Sequence, residues 1–282
     1  MPSVKPLKSD SGPTVRQPKA PFRALPANSL HIGPSGSGKS LALLRTLMDS
    51  DKLGGMFDRY EIFSPNIFID PQYKALIKYI EGQTNQKRDD FCHEEFDQEA
   101  IRKLMDEQKK SNAWLRKQGA KRLLSACVVI DDFGERADIV KAHGSTLNSL
   151  FTRGRHLQIS CYGLLLQRFR MANPTIRFNA HVLYVHELNN TKDLEALSEE
   201  FGQATGGVDN FIEMYKRATA KRYGFLFIVT GAEPRFYSSY DTELKVKHQE
   251  EEEGGMGAGK IVIIFLAWGH CWGYSKFEFP GS

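Results

Sequence analysis

Gly33-Pro-Ser-Gly-Ser-Gly-Lys-Ser40 is the stretch of sequence that decides the fold. It matches the phosphate-binding pattern G-x-x-x-x-G-K-[ST] at every fixed position. The short apolar segment Ser29–Ile32 before it predicts a strand, and four apolar residues after it have helical spacing: Leu41, Leu44, Leu47 and Met48. A preceding strand and a following amphipathic helix are the context that a phosphate-binding loop, or P-loop, requires.

The residue types of this loop suit an anionic ligand. Glycines allow backbone N–H groups to converge on phosphate oxygens, and the following helix directs its positive end at the same anion. We expect Lys39 to reach the β- and γ-phosphates of ATP and the Ser40 hydroxyl to ligate Mg²⁺. The predicted nucleotide-binding residues are Gly33, Pro34, Ser35, Gly36, Ser37, Gly38, Lys39 and Ser40.

A pair of acids follows the apolar run Cys127–Ile130. Ligands of open α/β sheets bind at the carboxyl ends of the strands, so we expect Asp131 and Asp132 beside the P-loop. Asp131 is the predicted ligand of the Mg²⁺ shell, and Asp132 is the predicted catalytic residue that polarises the attacking water. The alternative is that the two acids are only turn residues or helix caps.

Two further catalytic candidates lie on or near the next predicted strand, Ile159–Leu166. Gln167 ends this strand and is predicted to contact the γ-phosphate or the water, unless it is only a solvated strand end. Upstream, Arg155 is the first candidate and Arg153 the second for an arginine that stabilises transition-state charge in a neighbouring subunit. The alternative is a helix end whose cations satisfy its dipole, with Gly154 as the helix stop.

The remaining pattern alternates strands with helices, which is typical of a mostly parallel α/β sheet covered on both faces. A P-loop ATPase domain is predicted over residues 27–240. It includes a charged insertion at 83–122, predicted as one or two surface helices beside the nucleotide site, whose second half is basic around Trp114. The alternative is that this basic stretch is only a solvated helix face. Further strands are predicted at Tyr60–Ser64, Ala126–Ile130, Val182–Val185 and Phe225–Val229, and helices at about 143–152, 191–201 and 209–221.

The two ends of the chain differ from this pattern. Residues 1–26 hold six of the twelve prolines and five Lys or Arg residues, so we expect a mobile basic arm. Residues 241–282 combine an acidic run, a glycine-rich segment and the apolar run 261–272, which is interpreted as neither a helix nor a paired strand.

Composition limits the class of protein. The net charge of +4 gives no global argument for nucleic acid, and four widely spaced cysteines exclude a CxxC metal or redox motif and favour a reducing compartment. The longest late apolar run, Ile261–Trp268, is far shorter than the roughly 20 residues of a membrane span. We expect a soluble protein of the cytosol or nucleus.

These motifs together resemble the FtsK/HerA branch of P-loop NTPases, and more closely the poxvirus-type genome-packaging ATPases of large nucleocytoplasmic DNA viruses and Polinton-like elements. The resemblance covers about residues 28–230. It rests on the P-loop, the VVIDDFG and FTRGRHLQIS segments with Gln167, and two later blocks: HVLYVHELNNTKDLEALSEEFG and YKRATAKRYGFLFI. The second acid is usually Glu in FtsK and HerA proteins, and Asp132 departs from this, although the poxvirus-type branch accommodates Asp.

The resemblance implies a RecA/FtsK-like fold and a homo-oligomeric ring that threads double-stranded DNA into a preformed capsid while hydrolysing ATP. It also implies an arginine supplied in trans, a capsid or portal partner, and a place at the viral assembly site or in the virion. A DNA pump for conjugation or repair, or a non-hydrolysing DNA-binding subunit, is the alternative. A small-molecule kinase is less favoured, since Asp132 and Gln167 suit water activation, and no nuclease motif follows that would indicate a phage-type terminase.

Overall fold

Ten strands in the described part of the chain form one hydrogen-bonded sheet. The computed structural model describes residues 13–133, 145–247 and 262–267. In chain order the strands are β1 (Ser29–Ile32), β2 (Arg59–Phe63), β3 (Cys92–His93), β4 (Ala126–Ile130), β5 (Ile159–Leu166), β6 (Val182–His186), β7 (Phe225–Val229), β8 (Arg235–Ser238), β9 (Thr242–Lys247) and β10 (Val262–Ala267).

Eight α-helices occur in the same described ranges. They are α1 (Lys39–Met48), α2 (Pro71–Gln83), α3 (Arg88–Phe91), α4 (Gln98–Lys117), α5 (Thr146–Arg153), α6 (Pro174–Phe178), α7 (Thr191–Phe201) and α8 (Val208–Thr219). The helices predicted at about 143–152, 191–201 and 209–221 correspond to α5, α7 and α8, and residues 143 and 144 lie outside the described ranges.

The strand order is β10-β9-β8-β7-β6-β1-β5-β4-β2-β3. Strands β1 to β6 pair in parallel, whereas the pairs from β6 through β10 are antiparallel. The predicted mostly parallel α/β sheet is therefore confirmed, and each of the six predicted strands is present. The P-loop strand β1 lies between β5 and β6, and β5 separates it from the acid-bearing strand β4, so three candidate segments leave the same edge of the sheet.

Apolar residues cover both faces of the sheet. On one face, α1 and α2 supply buried side chains such as Leu43, Leu47 and Leu76, and on the other α4, α5, α7 and α8 supply residues such as Leu104 and Phe211. Both clusters include residues of the same strands, because successive side chains of a strand point to opposite faces. The prediction of helices on both faces of the sheet is therefore confirmed.

The insertion at 83–122 contains helices, as predicted, but its position was predicted incorrectly. Helix α4 packs on the core through Ile101 and Leu104, and near its end Asn112 donates to the carbonyl of Leu124, just before β4. The helix returns the chain from the carboxyl edge of the sheet to the amino end of β4. Its basic end therefore lies at the edge opposite the P-loop.

The prediction of a mobile arm is wrong for residues 13–26, which pack against the sheet. Val15, Phe22 and Leu25 are buried in the core on the α1 face, and Phe22 meets Phe227 edge to face. Arg16 forms an ion pair with Asp58. The proline content predicted an unfolded segment, but these three apolar side chains are buried against the core and hold the segment on the sheet. Residues 1–12 lie outside the described part.

The interpretation of residues 241–282 also needs correction, since two segments within this range are strands. Thr242–Lys247 forms β9 on β8, and Val262–Ala267 forms β10 antiparallel to β9. Tyr240, at the turn before β9, bonds Thr46 of α1 at 2.7 Å and so ties this end to the core. The acidic run, the glycine-rich segment and residues 268–282 lie outside the described ranges.

None of the helices within the described ranges has both the length and the apolar character that a membrane crossing requires.

Candidate active site

The P-loop is held between two strands at the carboxyl edge of the sheet. The Gly33 N–H donates to the Leu166 carbonyl at 3.1 Å, which fixes the start of the loop beside the end of β5. A Cβ on Gly33 would lie 2.8 Å from the Cβ of His186 in β6, so this position accepts only glycine without rearrangement. Gly38 has φ 97°, a left-handed conformation that glycine adopts at low cost, and α1 starts directly after it.

The side chain of Lys39 hydrogen-bonds back to the start of its own loop. Its ammonium group donates to the carbonyls of Gly33 and Pro34, both at 2.8 Å, and the side chain is almost fully buried. Burial lowers the pKa of Lys39, and the nearby Asp131 and Asp132 carboxylates raise it in opposition. A phosphate group in the loop would offer this buried cation a stronger acceptor than the two carbonyls.

Ser40 and Asp131 are brought together as the sequence predicts. The Ser40 hydroxyl donates to Asp131 Oδ2 at 3.0 Å, which joins the first turn of α1 to the end of β4. Burial raises the pKa of Asp131, while hydrogen bonds from Tyr73 and Ser40 lower it in opposition. A hydroxyl and a carboxylate are oxygen donors of the kind that Mg²⁺ takes alongside substrate phosphates, so these residues fit that ion.

Tyr73 is a site residue that sequence reasoning missed. Its hydroxyl donates to the same oxygen, Asp131 Oδ2, at 2.5 Å, and its side chain is buried at the start of α2. Strand β2, which precedes α2, pairs with β4 and so brings this helix next to the acid. In the sequence, Tyr73, Leu76, Ile77 and Ile80 have the spacing of an ordinary buried helix face, so no local signal distinguishes the tyrosine.

Asp132 has a different environment from its neighbour. It is exposed, and it accepts a 2.8 Å hydrogen bond from the amide of Asn66, which lies in the loop after β2. Its φ of 61° is left-handed, which is uncommon for a residue other than glycine and is tolerated best by Asp and Asn. The backbone thus turns at Asp132 and separates its carboxylate from the buried oxygen of Asp131.

Gln167 directly follows β5, and its contact with the γ-phosphate or the water stays a prediction. It follows Leu166, whose carbonyl accepts from Gly33, and it is exposed at the carboxyl edge between the P-loop and the acid strand.

Arg153 and Arg155 lie at the other edge of the sheet. Arg153 ends α5 and Arg155 is in the 3₁₀ turn Gly154–Leu157, directly before β5, and both are exposed. The eight residues of β5 separate them from Gln167, a distance of about 26 Å at roughly 3.3 Å per residue. Neither arginine therefore belongs to the phosphate site of its own chain.

Gly154 was predicted as a helix stop, and α5 does end at Arg153 with Gly154 as its C-cap, although not in the left-handed conformation usual for a glycine there. It has φ −51°, and the left-handed residue is Gln158, which ends the 3₁₀ turn. A Cβ on Gly154 would lie 3.1 Å from the Ile159 carbonyl oxygen, so close packing on β5 is the reason for glycine here.

Two histidines lie buried near the P-loop. His31 in β1 stacks on Tyr184 with ring centroids 3.9 Å apart, and His186 at the end of β6 packs behind Gly33. Burial is the main cause that lowers the pKa of both imidazoles, and the charge of Lys39 lowers both pKa values further. The pKa of His186 falls to about 4. Both imidazoles are therefore neutral at neutral pH, and neither presents a positive charge to Lys39.

The family of the chain follows from one comparison. A family model described as "Poxvirus A32 protein" matches residues 19–253, most of the 282 residues. The chain belongs to the poxvirus A32 protein family. This confirms the predicted resemblance to the poxvirus-type packaging ATPases, and at the level of the family the chain is a viral genome-packaging NTPase. No match was found among curated proteins.

Several solved structures are similar to this A32-family chain. The genome packaging NTPase B204 from Sulfolobus turreted icosahedral virus 2 in complex with ATPγS is 13% identical, with a TM-score of 0.48 over 74% of this chain and 95% of that one. The DNA-packaging ATPase B204 from Sulfolobus turreted icosahedral virus is 15% identical, with a TM-score of 0.46 over 74% and 96%. EssC (ATPases 2 and 3) from Geobacillus thermodenitrificans is 16% identical, with a TM-score of 0.44 over 62% and 35%.

Proposed function

We propose that this A32-family chain is an ATP-driven translocase that moves double-stranded viral DNA into a preformed capsid and works as a homo-oligomeric ring. The observation that supports this most directly is the Ser40–Asp131 contact, because it joins the P-loop and the acid strand into one Mg-ATP site. Such a site at the carboxyl edge of a parallel sheet suits phosphoryl transfer to water.

Each residue of the site has a distinct task in this proposal. The P-loop N–H groups and Lys39 bind the β- and γ-phosphates, and Ser40 and Asp131 hold Mg²⁺, which neutralises phosphate charge when bound. The exposed carboxylate of Asp132 orients and polarises the water, and Gln167 contacts that water or the γ-phosphate. The buried acid is thus assigned to the metal shell and the solvent-facing acid to the water.

A ring is supported by the position of the arginines. The phosphate site opens at the carboxyl edge of the sheet, whereas Arg153 and Arg155 are exposed at the amino edge, about 26 Å away along β5. A head-to-tail interface places one edge of a subunit on the opposite edge of the next, and its repetition gives a ring when the rotation between neighbouring subunits closes, and an open filament otherwise. In that arrangement Arg155 of one copy stabilises the negative charge on the γ-phosphate that its neighbour binds.

The DNA surface is proposed at the basic end of α4, with α8 as the second candidate. Lys109, Lys110, Arg116, Lys117 and Lys121 are all exposed around Trp114, which is 60% exposed. Arg122 is instead paired with Asp58 at 3.0 Å. Each phosphate contact made by such a surface steepens the dependence of log affinity on log salt by about 0.9. Replacing Lys109, Lys110 and Lys117 by Gln should make that slope shallower, as should neutralising Lys216 and Arg217 if α8 contributes.

Translocation itself is tested by displacement of a third strand. A triplex-forming oligonucleotide is annealed to a linear duplex, and its release is followed with Mg-ATP, with Lys39→Ala as the matched control. ATP-dependent release by the wild type and none by the variant is the expected result. Hydrolysis without any release would leave an ATPase that is not a DNA pump, and release without nucleotide would indicate passive DNA binding.

A further inference from the structure

A cavity of about 270 Å³ opens beside the P-loop. Its walls come from three segments of the described chain: Pro34–Ser37 of the loop, Glu187 and Asn189 after β6, and Thr219 at the end of α8 with Lys221–Gly224 before β7. No predicted catalytic residue lines it. Its volume is near the lower end of the range for small-molecule pockets, and it adjoins the residues proposed to bind phosphate.

Tyr223 has the most unusual conformation in this cavity. Its φ is 63°, a left-handed value that a bulky side chain rarely adopts. The residue is 44% exposed, yet its ring touches the P-loop, since a Cβ on Gly38 would lie 2.9 Å from the Tyr223 Cδ1. Strained backbone with an exposed aromatic ring at a loop is a combination found at ligand sites.

Arg222 adds a second flat group to this surface. Its guanidinium lies over the Tyr223 ring, 4.8 Å from the centroid, and it lines the same cavity. Aromatic rings and guanidinium planes are the groups on which proteins stack nucleobases. The contact with Gly38 places this pair directly beside the loop where the phosphates are proposed to bind.

We infer that this cavity binds the nucleobase and ribose of the nucleoside triphosphate, with Tyr223 as the stacking residue. The inference rests on the proposed function for the presence of a triphosphate in the P-loop. On this assignment Lys221 and Arg222 belong to the nucleotide site, whereas Lys216 and Arg217 on α8 stay with the second candidate for the DNA surface. Stacking uses a face that all bases share, so the Tyr223 contribution applies to GTP as well as ATP.

The test compares two ligands that differ only in the nucleoside. Dissociation constants for ATP and tripolyphosphate are measured by calorimetry in the absence of Mg²⁺, so that no turnover occurs, for the wild type, Tyr223→Asn and Tyr223→Phe. Asparagine removes the ring and tolerates positive φ, whereas phenylalanine keeps the ring. Tyr223→Asn should weaken ATP binding about tenfold and leave tripolyphosphate binding unchanged, and Tyr223→Phe should bind both ligands like the wild type.

The outcomes separate this inference from the proposed function. Equal weakening of both ligands by Tyr223→Asn would mean that the ring only supports the P-loop, and unchanged ATP binding would place the base elsewhere; either result overturns the assignment. Phe178→Ala, an exposed aromatic residue 77% accessible at the end of α6, is the matched control and should change neither constant. Because binding is measured without turnover, a protein that hydrolyses nothing would refute the motor while leaving the base site testable.

Discussion

The hydroxyl of Tyr73 donates a 2.5 Å hydrogen bond to Asp131 Oδ2, the same oxygen that accepts from Ser40. Two donors from different helices therefore fix the orientation of one buried carboxylate. Partners of this kind set how a metal ligand is presented, and their loss commonly lowers metal affinity without removing the ligand.

Tyr73→Phe should accordingly raise the Mg²⁺ concentration needed for half-maximal ATP hydrolysis, by roughly tenfold, with a smaller effect on turnover at saturating Mg²⁺. A Mg²⁺ titration at saturating ATP measures this. Tyr79→Phe, on the same helix α2, is the control and should behave like the wild type. A loss of turnover that saturating Mg²⁺ does not restore would contradict a positioning role for Tyr73.

Lys39→Ala and Asp132→Asn should separate binding from chemistry. Lys39→Ala removes the cation for the β- and γ-phosphates, so both ATP affinity and hydrolysis should be lost. Asp132→Asn keeps a residue that tolerates φ 61° and should bind ATP normally, while turnover falls by roughly 10²–10⁴. Equilibrium binding and phosphate release on both variants distinguish the two effects. Near-normal turnover in Asp132→Asn would show that the base is assigned wrongly.

The local signals in the sequence predict much of this site, and contacts between distant segments account for what they miss. The P-loop is identified by its motif between a strand and a helix, and Asp131 and Gln167 are each marked as a polar residue directly after an apolar strand. Tyr73 and Tyr223 meet the site only because strand order brings α2 to β4 and the turn before β7 to the loop. In sequence, both are ordinary aromatic residues of a helix face and a turn.

Contacts between distant segments also explain why the N-terminal segment and the basic end of α4 were placed wrongly from sequence. Val15, Phe22 and Leu25 are too widely spaced among prolines to give a periodic pattern, so their docking on the α1 face was not predicted. The position of the α4 basic end depends on the direction in which the helix crosses the sheet. That direction follows from the β2–β4 pairing, which composition does not indicate.

His186 should make stability depend on acid pH. Its pKa is about 4 in the folded chain against 6.5 for the unfolded group, and Lys39 and His31 are titratable groups that interact with it electrostatically. Between these pH values the unfolded chain binds a proton that the folded chain does not, so the free energy of unfolding falls as pH decreases. The full loss is about 3 kcal/mol, is complete near pH 4, and is absent above pH 6.5.

His186→Phe removes this term, so denaturant unfolding of the wild type and the variant is compared from pH 7 to pH 4. The stability difference between them should shift in favour of the variant as pH falls. Curves that stay parallel over this range would mean that His186 is protonated equally in both states.

Arg155→Ala tests whether subunits complete each other's sites. The variant should bind Mg-ATP and assemble, yet hydrolyse roughly 10³–10⁵ times more slowly, which is the range for a trans arginine. Mixing dissociated Arg155→Ala and Lys39→Ala subunits should restore part of the activity, because an intact P-loop can then meet an intact arginine. A mixture as inactive as its components, under conditions where wild-type subunits exchange, would exclude Arg155 and direct the same test to Arg153.

The most direct test of the central claim is phosphate release measured with and without double-stranded DNA of unrelated sequences. The account predicts that the wild type releases phosphate from Mg-ATP and that each duplex stimulates the rate to a similar extent. The stimulation should fall steeply as salt increases, and Lys39→Ala should release none under any condition. Binding of ATP and DNA by a wild-type protein that releases no phosphate with any duplex would contradict the motor and identify a nucleotide-bound structural subunit instead.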